Sequence, residues 1–250
     1  MLARDFFTQA RVKDMRREII EQGFCADPFV GAKMDLPVFG VNLACAYPFP
    51  AATSPAYIRL ANQMSELDEN AYAYPIGQTH VTIATFINFA QHQSPTPSML
   101  NELTTVASLV TTAVEKIFAP GEGTPVGAFE LVIEEPLISR KAAILPLSNP
   151  TDEIPYIRRR IVELLSGNAQ LRDRLGRLGL NLPPLIHSSI MRFKSAPKEP
   201  AVFLAKFDEL AARTRLGSMR INEILITTET KPYMRAGATI KRFQLEPAKS

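Results

Sequence analysis

Two cysteines in 250 residues, Cys25 and Cys45, are too few for a disulfide framework or a structural zinc site. No Gly-x-Ser-x-Gly stretch occurs, which removes the usual signature of a serine esterase elbow. Apolar runs are short, and none approaches the roughly 20 residues a membrane span needs. The first 20 residues mix Arg4, Asp5, Arg11, Lys13, Asp14, Arg16, Arg17 and Glu18 into their apolar positions, so no signal-peptide core forms. These absences lead us to expect a soluble chain, cytoplasmic or nuclear and not secreted, acting as a monomer without a membrane partner. Glycine is also sparse, at 12, while 20 prolines mark many defined loops.

Histidine is scarce too, and its placement is informative. Of three histidines, two head apolar, β-prone runs: Gln78-Thr79-His80-Val81-Thr82-Ile83-Ala84-Thr85-Phe86 and Leu185-Ile186-His187-Ser188-Ser189-Ile190-Met191-Arg192-Phe193. Side chains alternate along a strand, so His80 shares a face with Thr82, and His187 with Ser189. An imidazole beside a hydroxyl, twice, is a constellation for moving protons next to a bound oxyanion. The third histidine, His92, precedes the SPTP loop and reads as a surface residue. It belongs to a separate loop, and no carboxylate shares a ligand spacing with it, so neither a metal site nor any cofactor is expected.

Hydrophobic residues make up 46% and charged residues 21%, ordinary for a globular chain with a substantial core. Net charge is unevenly divided. Residues 1–125 hold 8 Lys and Arg against 12 Asp and Glu, whereas residues 126–250 hold 20 against 13. A basic second half suits an anionic substrate, but solvated helix faces are the ordinary explanation, and the Arg158-Arg159-Arg160 run reads that way.

Periodicity and punctuation predict the following order. A helix over 4–22, with Phe7, Met15, Ile19 and Ile20 apolar, stops at Gly23. A strand at 38–46 precedes a helix capped by Ser54 with Pro55 at its first turn and running to about Leu67. The His80 strand follows. Next comes a helix capped by Ser98 and ending at Pro120-Gly121, its apolar face carrying Leu103, Ala107, Val110, Val114 and Ile117. Strands at 126–133 and 142–147 lead to a helix from Asn149 that continues brokenly to Leu178. After the His187 strand come a helix at 200–213, one strand at 219–228, and a closing antiparallel strand at 238–245. Each half therefore reads strand, helix, His-strand, helix, strand, with one strand added at the end.

This order, with His80-Val81-Thr82-Ile83 and His187-Ser188-Ser189-Ile190, resembles the two-histidine phosphoesterase superfamily. The resemblance covers about residues 36–246. It implies an α+β fold of two lobes related by a pseudo-twofold axis, with concave antiparallel sheets lining a central cleft and helices outside. The expected division is an N-terminal helical extension over 1–35 and a phosphoesterase-like domain over 36–250, with lobes of roughly 36–139 and 140–250. It further implies catalytic His80 and His187, with Thr82 and Ser189 binding the substrate phosphate. Arg192 and Tyr233 are further candidates for contact with an RNA or nucleotide substrate. Strict alternation sets Arg192, five residues after His187, on the opposite face, so a bulge or strand end is required for it to reach the site. Tyr72 and Tyr74 are candidates to stack on a base, with ordinary packing as the simpler role. The implied activity is metal-independent phosphodiester hydrolysis on 2′,3′-cyclic phosphates or 2′,5′ linkages. A non-catalytic nucleotide- or RNA-binding module of the same fold is the alternative.

Overall fold

The computed structural model describes residues 9–119 and 126–246. Its elements follow the expected order. They are α1 (Gln9–Gln22), β1 (Gly40–Cys45), α2 (Ser54–Ser65), β2 (Ala71–Ala73), β3 (Val81–Ile87), α3 (Pro97–Phe118), β4 (Phe129–Ile133), β5 (Leu137–Ile138) and β6 (Ala142–Ser148). Then come α4 (Glu153–Ser166), α5 (Ala169–Arg177), β7 (His187–Phe193), α6 (Pro200–Arg213), β8 (Ser218–Ile221), β9 (Glu223–Lys231) and β10 (Ala236–Gln244). Phe7 and the expected stop at Pro120-Gly121 lie outside the described residues.

Two antiparallel sheets result. The first has the order β10-β9-β1-β3; the second has β2-β7-β6-β4-β8, with β5 pairing to β6. The halves are exchanged between them. β4, from the first half, pairs with β6, while β9, from the second half, pairs with β1. A boundary at 139/140 therefore does not separate the two sheets. The stretch read as one strand at 219–228 is two strands broken at Asn222, one in each sheet. Periodicity cannot reveal this, because both pieces are apolar and the break is a single residue.

Helices cross over in the same way. α4, between β6 and β7, packs against β3, and α2, between β1 and β3, packs against β2 and β7. Apolar faces of α3, α4 and α5 meet Phe86 of β3 in one layer. Phe24, Phe193, Phe203 and Phe207 form the matching layer behind the second sheet, with ring centroids 4.6 Å apart for Phe24 and Phe193. Each such fully buried ring contributes about 1.5–3 kcal/mol relative to exposure. Phe24 belongs to the segment read as an extension, and that segment is tied in: Arg140 donates to the carbonyls of Gln22 and Gly23, and Cys25 N–H to the carbonyl of Arg140.

Two helix starts differ from expectation. α3 is capped by Thr96, whose hydroxyl accepts from Met99 N–H, because Pro97 fits the first turn and shifts the start two residues earlier than Ser98. Ser54 is already helical, and its one hydroxyl proton is shared between the carbonyls of Phe49 and Pro50.

Candidate active site

Alternation alone does not build the concave faces; two bulges do. On β7, Ser189 pairs with Ile144 and Met191 with Ala143, so Ile190 is the extra residue. On β3, Thr82 pairs with Ala44 and Ala84 with Leu43, so Ile83 is the extra residue. A bulge shifts the side-chain phase by one. Positions 187, 189 and 192 consequently share one face, as do 80, 82 and 85. Arg192 reaches the cleft by this device, which sequence periodicity could demand but not show.

Each bulge leaves a carbonyl without its ladder partner, and each is satisfied by a donor from the other half. Tyr74 N–H donates to Ile190 O at 2.8 Å. Arg158 Nε donates to Ile83 O at 3.0 Å, and its Nη2 to Thr82 O at 3.2 Å. Arg158 is therefore not the solvated helix residue that the reading of the arginine run expects. Its guanidinium is lowered to about 10 by burial and stays charged at neutral pH. Arg159 is exposed, as that reading holds.

A cleft of about 350 Å³ between the lobes is lined by all six residues singled out from the sequence: His80, Thr82, His187, Ser189, Arg192 and Tyr233. Its base is closed by backbone bonds between lobes, Thr85 exchanging both with Asn181 at 2.8 Å and Asn88 N–H donating to Leu178 O. The imidazoles are held alike. His80 Nδ1 lies 2.8 Å from the carbonyl of Gln78, and His187 Nδ1 lies 3.4 Å from that of Leu185. A carbonyl only accepts, so each contact keeps a proton on Nδ1 and leaves Nε2 for the cleft. The Gln78 carbonyl is itself positioned by a tight turn, where the Thr79 hydroxyl donates to Ile76 O and accepts from Phe49 N–H.

Burial pushes both imidazoles below the ordinary histidine range. The backbone bonds oppose this. His187 lowers His80 further, while Arg158 and Arg192 lower His187. Among the described residues the hydroxyls of Thr82 and Ser189 have no protein partner, so both are free to donate.

Arg192 is clamped on three sides. Nε donates to the Tyr74 hydroxyl at 3.0 Å, Nη1 donates to Asp27 Oδ2 at 3.0 Å, and the guanidinium lies 4.6 Å from the Tyr233 ring centre. Tyr233 also donates to Asp27 Oδ2 at 2.6 Å. Tyr233 and Met234 both have φ near +58°, a left-handed conformation costly for residues with a Cβ. The turn is secured by Met234 N–H, which donates to Glu229 Oε1 at 2.9 Å. Tyr74 is buried and meets Arg192 through its hydroxyl, whereas the Tyr72 hydroxyl donates to Gln78 Oε1.

Sequence reasoning missed Asn42, Thr85, Glu229 and Asp27. Thr85 Oγ1 donates to Asn42 Oδ1 at 2.9 Å, and Asn42 Nδ2 donates to Glu229 Oε2 at 2.8 Å. Asn42 and Glu229 stand 187 residues apart, and the polar Asn42 within an otherwise apolar strand was the only local signal. Burial raises the Glu229 carboxyl to about 7. His92 is buried rather than on the surface. Among the described residues no group of three or more His, Cys, Asp and Glu side chains is arranged to hold a metal.

Two concave antiparallel sheets facing one cleft, each lending a histidine at the head of a strand, form the bilobed fold implied by the resemblance to two-histidine phosphoesterases. Solved structures share this fold. ATU0111 of Agrobacterium tumefaciens, a conserved protein of unknown function, matches with a TM-score of 0.59 at 13% identity, over 93% of this chain and 99% of that one. TT0787 of Thermus thermophilus matches with a TM-score of 0.53 at 10% identity, over 84% of this chain and all of that one. A looser likeness, TM-score 0.47 at 14% identity over 84% and 99%, is to LigT of E. coli. No family model matches the chain, and no curated protein matches it by sequence.

Proposed function

We propose that the protein is a metal-independent phosphodiesterase of the two-histidine class, acting on RNA ends or nucleotides that carry a 2′,3′-cyclic phosphate or a 2′,5′ linkage. One observation carries this reading: His80 and His187 face one cleft, each with Nδ1 engaged by a carbonyl two residues upstream and Nε2 without a partner among the described residues. One neutral imidazole takes a proton from the attacking oxygen while the other, protonated, gives one to the leaving oxygen. Thr82 and Ser189 donate to the non-bridging phosphate oxygens as charge shifts during the reaction. Depressed imidazole basicity suits this division, since a doubly protonated pair is disfavoured and an incoming phosphate anion favours the singly protonated one.

The charge lining the cleft favours a short substrate within this class. Among the described residues Arg192 is the one cation lining the cleft, and Asp27 already pairs with it. Second-half arginines such as Arg172, Arg213, Arg215, Arg220 and Arg242 are exposed on outer surfaces. A nucleotide or RNA terminus therefore fits better than a strand tracked along its backbone.

A panel of 2′,3′-cyclic nucleotides, 2′,5′-oligoadenylate and RNA with free or phosphorylated ends, assayed in excess chelator, tests the reading. Turnover of at least one substrate that disappears in His80→Ala and His187→Ala is the expected result. Binding without turnover in the wild type would instead support a non-catalytic nucleotide-binding module.

A further inference from the structure

The cleft is built with a pseudo-twofold, yet it is chemically one-sided. Bulges at Ile83 and Ile190 make position +5 from each histidine a lining residue: Thr85 in the first lobe and Arg192 in the second. At +2 the two lobes match, with Thr82 and Ser189 each offering a free hydroxyl. At +5 they have opposite character.

On the Arg192 side the groups facing the cleft donate. Its Nε and Nη1 have protein acceptors, and Nη2 has no partner among the described residues. On the Thr85 side, with Glu229 ionised, the protons are committed along one chain, and the second Asn42 Nδ2–H faces Met234 Sδ. Thr85 O–H donates to Asn42 Oδ1, Asn42 Nδ2–H donates to Glu229 Oε2, and Met234 N–H donates to Glu229 Oε1. A threonine hydroxyl has one proton, so Thr85 presents only lone pairs to the cleft. Each carboxylate oxygen accepts one protein donor and keeps capacity for a second. Glu229 and Asn42 are both 4% exposed and both line the cleft. A row of acceptors at that depth costs free energy when it is desolvated without a donor.

We propose that Thr85 and Glu229, oriented by Asn42, form a subsite that accepts an N–H or O–H donor on the nucleoside part of the substrate, so that the substrate binds in one direction. This rests on the phosphodiesterase reading. The phosphate sits on the +2 hydroxyls between the histidines, the donor-bearing part lies over Glu229, and acceptor oxygens turn toward Arg192. Two sources supply such a donor in a nucleotide, an exocyclic amine of the base or a sugar hydroxyl.

Three probes separate the sources: adenosine 2′,3′-cyclic phosphate, the purine riboside analogue lacking the amine, and the 5′-deoxy analogue lacking the hydroxyl. KM and kcat are measured with the wild type, Glu229→Gln and Thr85→Val. Assayed above pH 7, where the Glu229 carboxyl is ionised, one truncated analogue is expected to have a KM raised roughly tenfold to a hundredfold in the wild type, the effect of losing a hydrogen bond to a charged group. That discrimination should shrink to within about threefold in Glu229→Gln, and also in Thr85→Val, which keeps the side-chain shape should the first variant fold poorly. A merely structural role would alter all three substrates alike and preserve their ratio. Equal treatment of the three probes by the wild type, or a ratio surviving in both variants, overturns the subsite. Should the wild type turn over none of them, calorimetry with the same probes decides. Discrimination in Kd that is lost in Glu229→Gln keeps the subsite and rejects hydrolysis of 2′,3′-cyclic mononucleotides, whereas no binding rejects the subsite.

Discussion

The guanidinium of Arg158 donates at 3.0 Å to the carbonyl of Ile83, the residue bulged out of the strand that His80 heads. A helix from the second half thereby holds the local phase of a strand from the first. That phase decides whether Thr85 faces the cleft or the core.

Arg158→Met should expose the cost of losing this contact. Methionine fills a similar volume but leaves the Ile83 carbonyl without a donor, a penalty of about 1–3 kcal/mol. A melting temperature several degrees lower is expected, with kcat/KM reduced at least tenfold because Thr82 and Thr85 lose their placement. Unchanged melting and turnover would mean the bulge holds itself.

The two imidazoles should behave as one unit. His80→Ala and His187→Ala are each expected to lose several orders of magnitude in kcat, and the double variant to be scarcely worse. Thr82→Ala and Ser189→Ala keep the pair and remove one phosphate donor, so losses of roughly tenfold to a thousandfold are expected. Additive losses in the double histidine variant would contradict a shared acid–base cycle.

The pH profile follows from direction alone. Both imidazoles are depressed by burial, so in the free protein the proton needed by the acid is lost at lower pH than in an ordinary histidine. The maximum of kcat/KM is expected below pH 6.5, with activity falling toward pH 8. Arg192 helps depress His187, so Arg192→Met should move one limb upward. A wild-type optimum above pH 7.5 would rule out this assignment.

How much of this was legible beforehand depended on the range of the interaction. His80, Thr82, His187 and Ser189 are local motifs, and element order follows from punctuation by proline and glycine. The +5 positions required bulges, which are set by pairing partners in other strands and not by the strand's own sequence. Asn42 and Glu229 meet only because β9 inserts beside β1. The inward turn of Arg158 is decided by the packing of α4 on β3, which a run of three arginines conceals.

Glu229 makes stability depend on pH in a definite sense. Its carboxyl is raised from 4.5 to about 7 by burial. The protonated form is thus favoured by folding, and the stability it contributes is present below pH 4.5 and lost as pH rises through about 7. The shift corresponds to roughly 3 kcal/mol. Relative to Glu229→Gln, the wild type should lose melting temperature between pH 4.5 and 8 and change little beyond. A constant difference between the two proteins across that range would show that Glu229 is ionised throughout.

The exchange of strands also bears on how the chain is made. β1 ends at Cys45, but the neighbour that completes its sheet, β9, starts at Glu223. During synthesis nearly the whole polypeptide must leave the ribosome before the first sheet can close, and until then an apolar strand keeps one hydrogen-bonding edge unpaired. Contacts of such long sequence separation slow folding and leave edges open to wrong partners. Loss of the last 30 residues would remove β9 and β10 entirely, and with them the covering of an edge laid down some 180 residues earlier.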